Sequence, residues 1–369
     1  MTTVNDLSIV DWSFRGPLLV IGVIAVVAAG VAIARGRHRG LLVGIAAGLV
    51  LLNVAAGVNA SLGYFPRLGG LYGVPAYDAE PLSALERDSV PERGVVVELP
   101  IPGTRSGFEA RDAVVYVPPA WFERPQPALP VLMLLHGSPG FPSDWTRAGD
   151  ADPTADAFAR THDGLAPILV LPDANGSFLA DSECLDGAHG NIETYLTEDV
   201  PAFVVDRFGA SDDPQRWAIG GASMGGMCAT MLALRHPDRF RTFADFAGFV
   251  GPRSGDSNRV EDTVGDLFGG DRAAFLAHEP LELLTGGDFP HTGAWFGVGS
   301  DDAVPIAAID RLAPASRAAG IETCVDRIEG DHTFITFGRL LARSFPWLTM
   351  RLGLTPDAPS VEADCGERA

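Results

Sequence analysis

Two stretches without a charged side chain, 17–34 (PLLVIGVIAVVAAGVAIA) and 41–65 (LLVGIAAGLVLLNVAAGVNASLGYF), constrain this chain more than anything else in it. About 20 apolar residues in helical form cross a hydrocarbon core, and lipid accepts only backbone that hydrogen-bonds to itself. Each stretch is therefore expected as a transmembrane helix and the pair as a hairpin. Between them RGRHRG (35–40) holds three arginines and His38, and a short arginine-rich loop stays on the cytoplasmic side. That orientation puts everything after Phe65 outside the cytoplasm, with Tyr64, Phe65 and Tyr72 suited to the outer interface. Two other readings exist. One is a buried helical hairpin of a soluble protein; the other is a signal peptide cleaved after Ala60, which leaves the remainder on the same side.

Charge narrows the partners. Of a net charge of −20, none is owed to the segment up to Pro66, where four arginines (Arg15, Arg35, Arg37, Arg39) face two acids (Asp6, Asp11). The remainder is strongly acidic and repels phosphate backbones, which argues against nucleic acid as a partner. Cys184, Cys228, Cys324 and Cys365 lack metal-ligand spacing, so no metal site is expected. Free and mostly buried thiols are the default for them. One disulfide is open if the domain is exported, and the sequence does not pair it.

Residues 67–92, rich in Gly, Pro and charge, read as a juxtamembrane linker, and 93–355 as one domain. In it, strand-like runs at 94–100, 112–118, 130–137, 167–174, 216–221, 242–249, 294–299 and 322–330 alternate with helical patterns at 152–163, 193–209, 224–237 and 303–320. Several strands are apolar on both faces, as in a parallel sheet covered by helices. The alternation predicts an open α/β sheet, with the opening strands antiparallel at one edge because they lack long crossovers. Residues 257–284 read as a cap over the pocket, and 356–369 as a disordered tail.

Within this frame AIGGASMGGMC (218–228) ends a strand, turns through Ser223 and begins a helix. A nucleophile on such an elbow needs small neighbours, here Gly221 and Gly225, to relieve the crowding of its strained backbone. The helix start also aims its dipole and the Met224 amide at a developing oxyanion. The competing reading is a small residue where strand and helix pack tightly. The base and the acid must follow at later strand ends. His236 reads as a helix-end or surface group; His278 falls in the insert and His291 in a loop before a strand. His332, in EGDHTF between the last strand and the last helix, is the expected base. GSDD (299–302) offers Asp301 and Asp302 as the acid, with Asp302 preferred, while Asp331 adjoins His332 and points away. Upstream, LMLLHGSPGFPSDW (132–145) supplies a second oxyanion donor, the Ser138 amide, with His136 as a structural brace.

Taken in order, LLHGSPG, AIGGASMGG, GSDD and GDHTF resemble the esterase family of α/β-hydrolases that includes S-formylglutathione hydrolases, feruloyl esterases and mycolyltransferases. The resemblance covers roughly 95–350. It implies an α/β-hydrolase fold, Ser223 as nucleophile, His332 as base, Asp302 as acid, Ser138 and Met224 as oxyanion donors, and no cofactor. The helical pattern IETYLTEDVPAFVVDRF fits the helix before the nucleophile strand. ADSECLDGAHG (180–190) matches no motif of the family. Its acids Asp181, Glu183 and Asp186 are candidates for binding a cationic group, such as the amine of an aminoacyl lipid, and otherwise form an ordinary solvated acidic loop. The expectation is thus a membrane-anchored extracytoplasmic serine esterase acting on lipid or cell-envelope esters. An acyltransferase to a sugar or glycolipid hydroxyl is the alternative within the family. A catalytically silent membrane-bound binding protein is the alternative outside it.

Overall fold

The computed structural model describes residues 9, 12–35, 39–62, 79–254 and 259–356. The chain divides near residue 76 into two compact units.

The first unit contains two helices, α1 (Trp12–Arg35) and α2 (Arg39–Leu62). Within them Arg15–Arg35 and Gly40–Asn59 are long and apolar enough to cross a membrane. Leu19, Val23, Ile24, Leu51 and Leu52 on them are exposed. Asn53 ties the pair, its Nδ2 donating to Leu18 O (3.2 Å) and to Leu49 O (2.8 Å). Residues 36–38 of the expected cytoplasmic loop lie outside the described residues, as do Tyr64, Phe65, Tyr72, Cys365 and the expected tail beyond Pro356.

In the second unit the strands are β1 (Val95–Leu99), β2 (Ala113–Val117), β3 (Val131–Leu135) and β4 (Ile168–Leu171), with α3 (Asp144–Arg147) and α4 (Ala151–Ala159) between the last two. A two-residue ribbon, β5 (Asp186–Gly187) and β6 (Gly190–Asn191), leads into α5 (Ile192–Thr194), a π-helical turn at Tyr195–Asp199 and α6 (Val200–Phe208). Then come β7 (Trp217–Ala222), α7 (Met224–Arg235) and β8 (Thr242–Phe246). The insert holds α8 (Val260–Phe268), α9 (Arg272–Leu276) and α10 (Pro280–Gly286). The chain closes with β9 (Gly293–Gly299), α11 (Ala303–Ala318), β10 (Glu322–Ile328) and α12 (Phe334–Arg351).

Eight strands form one sheet in the order β1-β2-β4-β3-β7-β8-β9-β10. β1 with β2 and β2 with β4 are antiparallel; every later pair is parallel. Residues of the central strands β2, β3, β4, β7 and β8 are buried on both faces, which is why they read as unbroken apolar runs. The edges differ: Glu98 on β1 and Arg327 on β10 reach solvent. Because β3, β7, β9 and β10 run parallel, the turns after them collect at one edge of the sheet, where ligands meet open α/β folds.

Residues 79–92 depart from the expected linker. Glu80 N donates to Val96 O (2.7 Å), and Ala84 and Leu85 of a short 3-10 helix are buried. The order in this stretch was hidden by its proline- and charge-rich composition, which reads as linker whether or not a neighbour covers it.

Candidate active site

Ser223 stands between β7 and α7 with φ 57° and ψ −121°, a conformation that costs a residue with a Cβ about 1–3 kcal/mol. Close packing leaves the chain little choice. A Cβ on Gly221 would overlap the Gly225 backbone, and one on Gly225 would stand 2.5 Å from the Leu135 and His136 carbonyl oxygens. Small flanks are therefore required for α7 to start against the ends of β3 and β7. The Ser223 amide is held by Phe246 O on β8 (2.9 Å).

From β10 the chain turns through Gly330 and brings His332 over the elbow. The Ser223 hydroxyl donates to His332 Nε2 (2.8 Å), and His332 Nδ1–H donates to Asp302 Oδ2 (2.5 Å). Asp302 precedes the first turn of α11, and its side chain is 11% exposed against 37% for His332. Its neighbour Asp301 is exposed, with its amide on Gly330 O (2.9 Å). Phe337 meets the imidazole edge-on at 5.1 Å, and Phe249 lies tilted at 6.2 Å. The turn bearing Phe249 is set by Asp245 on β8. Its carboxylate accepts from Gly248 N (2.6 Å) and Thr230 Oγ1 (3.1 Å), and full burial pushes this carboxyl up to about 7.

Met224 is the first residue of α7, so its amide has no acceptor within the helix. The turn after β3 passes close to Ser223: a Cβ at Gly137 would lie 3.3 Å from Ser223 Cβ. Ser138 follows, and its hydroxyl donates to Ala180 O (2.9 Å). His136 is fully buried, with Nδ1 2.7 Å from Gly137 O and Nε2 in reach of both the Ala174 amide (3.1 Å) and Asp173 Oδ1 (3.3 Å). It braces the turn. Arg111 completes the brace, donating to Gly140 O (3.0 Å) and to Asp173, with its guanidinium over the Phe141 ring. Burial works to raise the Asp173 carboxyl, but hydrogen bonds from His136, Arg111 and the Asn175 amide hold it well below the usual range. Sequence reading missed Arg111 and Asp173. An Asx-turn signal for the second was available in PDANG at the end of β4, where Asp173 accepts the Asn175 and Gly176 amides.

The acidic run does not present one face. Asp186 is exposed, and both its oxygens are taken by Thr194, from N (3.0 Å) and Oγ1 (2.6 Å). Glu183 is buried, accepts the Arg253 amide (3.2 Å), and is pushed well above the usual carboxyl range by burial and by the charge of Asp181. Asp181, half-buried beside Ser138 and Glu183, is raised by burial against the hydrogen bonds of both.

Free thiols are also not what the structure holds. Cys184 and Cys228 form a disulfide with Cα atoms 5.9 Å apart, and Cys324 is disulfide-bonded as well. The pairing was beyond sequence reading because 44 residues separate the partners and only the folded loop brings them together. Among the described residues no group of His, Cys, Asp and Glu could hold a metal ion.

Comparison with known proteins places this geometry in context. Residues 109–348 match the Esterase family, described as "Putative esterase". An uncharacterized protein of Corynebacterium glutamicum is 37% identical over 335 residues, covering 86% of this chain and 78% of the relative. The S-formylglutathione hydrolase of Paracoccus denitrificans is 25% identical over 184 residues, which is 50% of this chain and 64% of that enzyme. A solved ferulic acid esterase superposes with a TM-score of 0.60 at 20% identity, over 71% of this chain and 99% of the esterase, and so shares the fold.

Proposed function

The chain belongs to the Esterase family of serine hydrolases, and we propose that it is a membrane-anchored enzyme that opens carboxylic esters outside the cytoplasm through Ser223, His332 and Asp302. The observation that most supports this reading is the hydrogen-bonded file from Asp302 Oδ2 through His332 to Ser223 Oγ, set on a strained elbow.

In the first step Ser223 Oγ attacks the ester carbonyl carbon while His332 Nε2 takes the hydroxyl proton. Asp302 keeps the imidazole oriented and stabilises it once it is a cation. The carbonyl oxygen becomes an oxyanion between the Met224 and Ser138 amides, where preorganised donors favour the transition state over the ground state. Collapse breaks the ester bond, His332 returns the proton to the leaving alkoxide, and the acyl group stays on Ser223. Water, or an alcohol in a transfer reaction, then repeats the sequence in reverse and frees the serine.

Two lines support the membrane and the side. The two outward-apolar helices are suited to lipid, and the disulfides suit an oxidising compartment. Tethered to a bilayer, the site meets lipid or envelope esters at raised effective concentration, and such esters are the proposed substrates. A substrate amine is not part of the proposal, since Glu183 is buried and turned onto the Arg253 amide and Asp186 is taken by Thr194.

The test is Ser223→Ala in the full-length chain, with p-nitrophenyl butyrate and a lipid extract as substrates. Turnover should fall by about 10⁴-fold or more, and a fluorophosphonate probe should label Ser223 of the wild type. Undiminished turnover in the variant sinks the assignment; a wild type that the probe leaves unlabelled returns the chain to a binding protein on a hydrolase fold.

A further inference from the structure

The two amides read above as oxyanion donors come from segments that share no element. Met224 opens α7, whereas Ser138 lies in an irregular turn after β3. A hole built from two such pieces works only if both stay in register to within a fraction of an ångström.

What holds the turn from the side is the segment 178–184, which is itself irregular. Phe178 O accepts the Gly140 amide (3.2 Å), Ala180 O accepts the Ser138 hydroxyl (2.9 Å), and the Phe178 ring stacks on Phe141 at 4.9 Å. This segment needs an anchor of its own. Ser182 supplies part of it, donating from Oγ to Ala174 O (2.6 Å) and from N to Asn175 Oδ1 (3.1 Å). Immediately beyond, Glu183 and Cys184 both adopt left-handed backbone, with φ 52° and 55°. Residues with a Cβ hold that conformation only when the surroundings impose it. The surroundings here are the Ser182 hydroxyl, which accepts the Cys184 amide (3.0 Å), and a disulfide from Cys184 to Cys228, five positions past Ser223 on α7, with both half-cystines fully buried. One covalent bond therefore links the helix carrying the nucleophile and the first amide to the segment that holds the second.

We infer that the Cys184–Cys228 disulfide is a positioning element of the oxyanion hole, acting through Phe178 and Ala180 on the Ser138 turn. The inference rests on the reading of the Ser138 and Met224 amides given above. A displaced donor weakens a hydrogen bond that matters most in the transition state, so its loss lowers kcat and leaves KM nearly unchanged. Complete removal of one oxyanion donor costs about 10²–10³ in rate; slack in a donor that remains present costs less, about tenfold.

The experiment uses the full chain in detergent micelles, with the competent sites of each preparation counted in a parallel aliquot by complete fluorophosphonate labelling of Ser223. The double variant Cys184→Ala/Cys228→Ala should show kcat per titrated site lowered about tenfold and KM within about twofold of wild type. Ser138→Ala keeps both the amide and the disulfide but loses the bond to Ala180, and should lower kcat about threefold. Combined, the substitutions should cost less than the product of their separate effects, because they loosen one linkage. Wild-type kcat per site in the cysteine variant, whatever its melting temperature, would make the disulfide a stabiliser only and overturn the inference. If that variant does not fold, an unchanged kcat in Ser138→Ala overturns it equally. Absence of labelling at Ser223 in the wild type would instead strike the proposed function.

Discussion

Ser223 shows how much of a site one residue's surroundings can dictate. Its left-handed backbone is tolerable because Gly221 and Gly225 remove the atoms that would collide, and the same crowding points Oγ toward His332. These features were legible in the sequence, since an elbow is a local pattern and its partners follow in a fixed chain order. Asp302 against Asp301 was less so. Two adjacent aspartates differ only in where the first turn of α11 begins, and that is set by packing. Asp302→Asn should leave the geometry in place yet lower kcat about 10³–10⁴-fold, because the amide no longer favours the imidazolium. Asp301→Asn should stay within about threefold. Steady-state kinetics on a p-nitrophenyl ester compare the two; similar losses would mean that the acid has been assigned to the wrong neighbour. The acids of 180–190 were legible only as composition. Adjacency in sequence said nothing of Glu183 turning inward on a left-handed backbone or of Asp186 capping Thr194.

Elements meet at Glu193 on α5. Its Oε1 accepts from Arg235 Nε (2.7 Å) and His236 Nε2 (2.7 Å) at the end of α7, and its Oε2 from His278 Nε2 (3.1 Å) just past α9. One carboxylate thereby fastens the insert to two helices of the main fold. Burial works to raise this carboxyl, but the His236, His278 and Arg235 hydrogen bonds outweigh it and hold the group well below the usual range. A carboxyl depressed on folding contributes stability that is fully present above its unfolded pKa, near 4.5, and is lost as pH falls through the folded value. Glu193→Gln should thus destabilise by about 1–3 kcal/mol at pH 7, with the gap to wild type closing as pH drops from about 5 to 3. Unfolding midpoints at several pH values check this, and a gap that stays constant with pH would rule it out. The central strands of the large sheet were legible because their buried runs are unbroken, and the edge strands β1 and β10 because most of their residues are still apolar and buried. The Glu193 clamp was not: His236 read as a helix-end or surface group, and its partner lies 43 positions earlier.

At the scale of the whole molecule the acidic enzyme unit and the two apolar helices suit different solvents. The helices could be read without any folding argument, because an uncharged run of membrane length needs none. The full-length protein should remain in the membrane pellet after an alkaline carbonate wash. Alkaline phosphatase fused after residue 356 should be active, and fused at residue 37 inactive. Release by carbonate, or the reverse fusion pattern, would contradict the anchored, outward-facing arrangement. The Cys184–Cys228 bond also governs how the protein has to be made. A host with a reducing cytoplasm yields chains whose 178–184 segment keeps its hydrogen bonds and packing but lacks the covalent tie to α7. Specific activity then becomes a property of the preparation, and substrate screens on such material will miss slow esters that the bridged enzyme turns over.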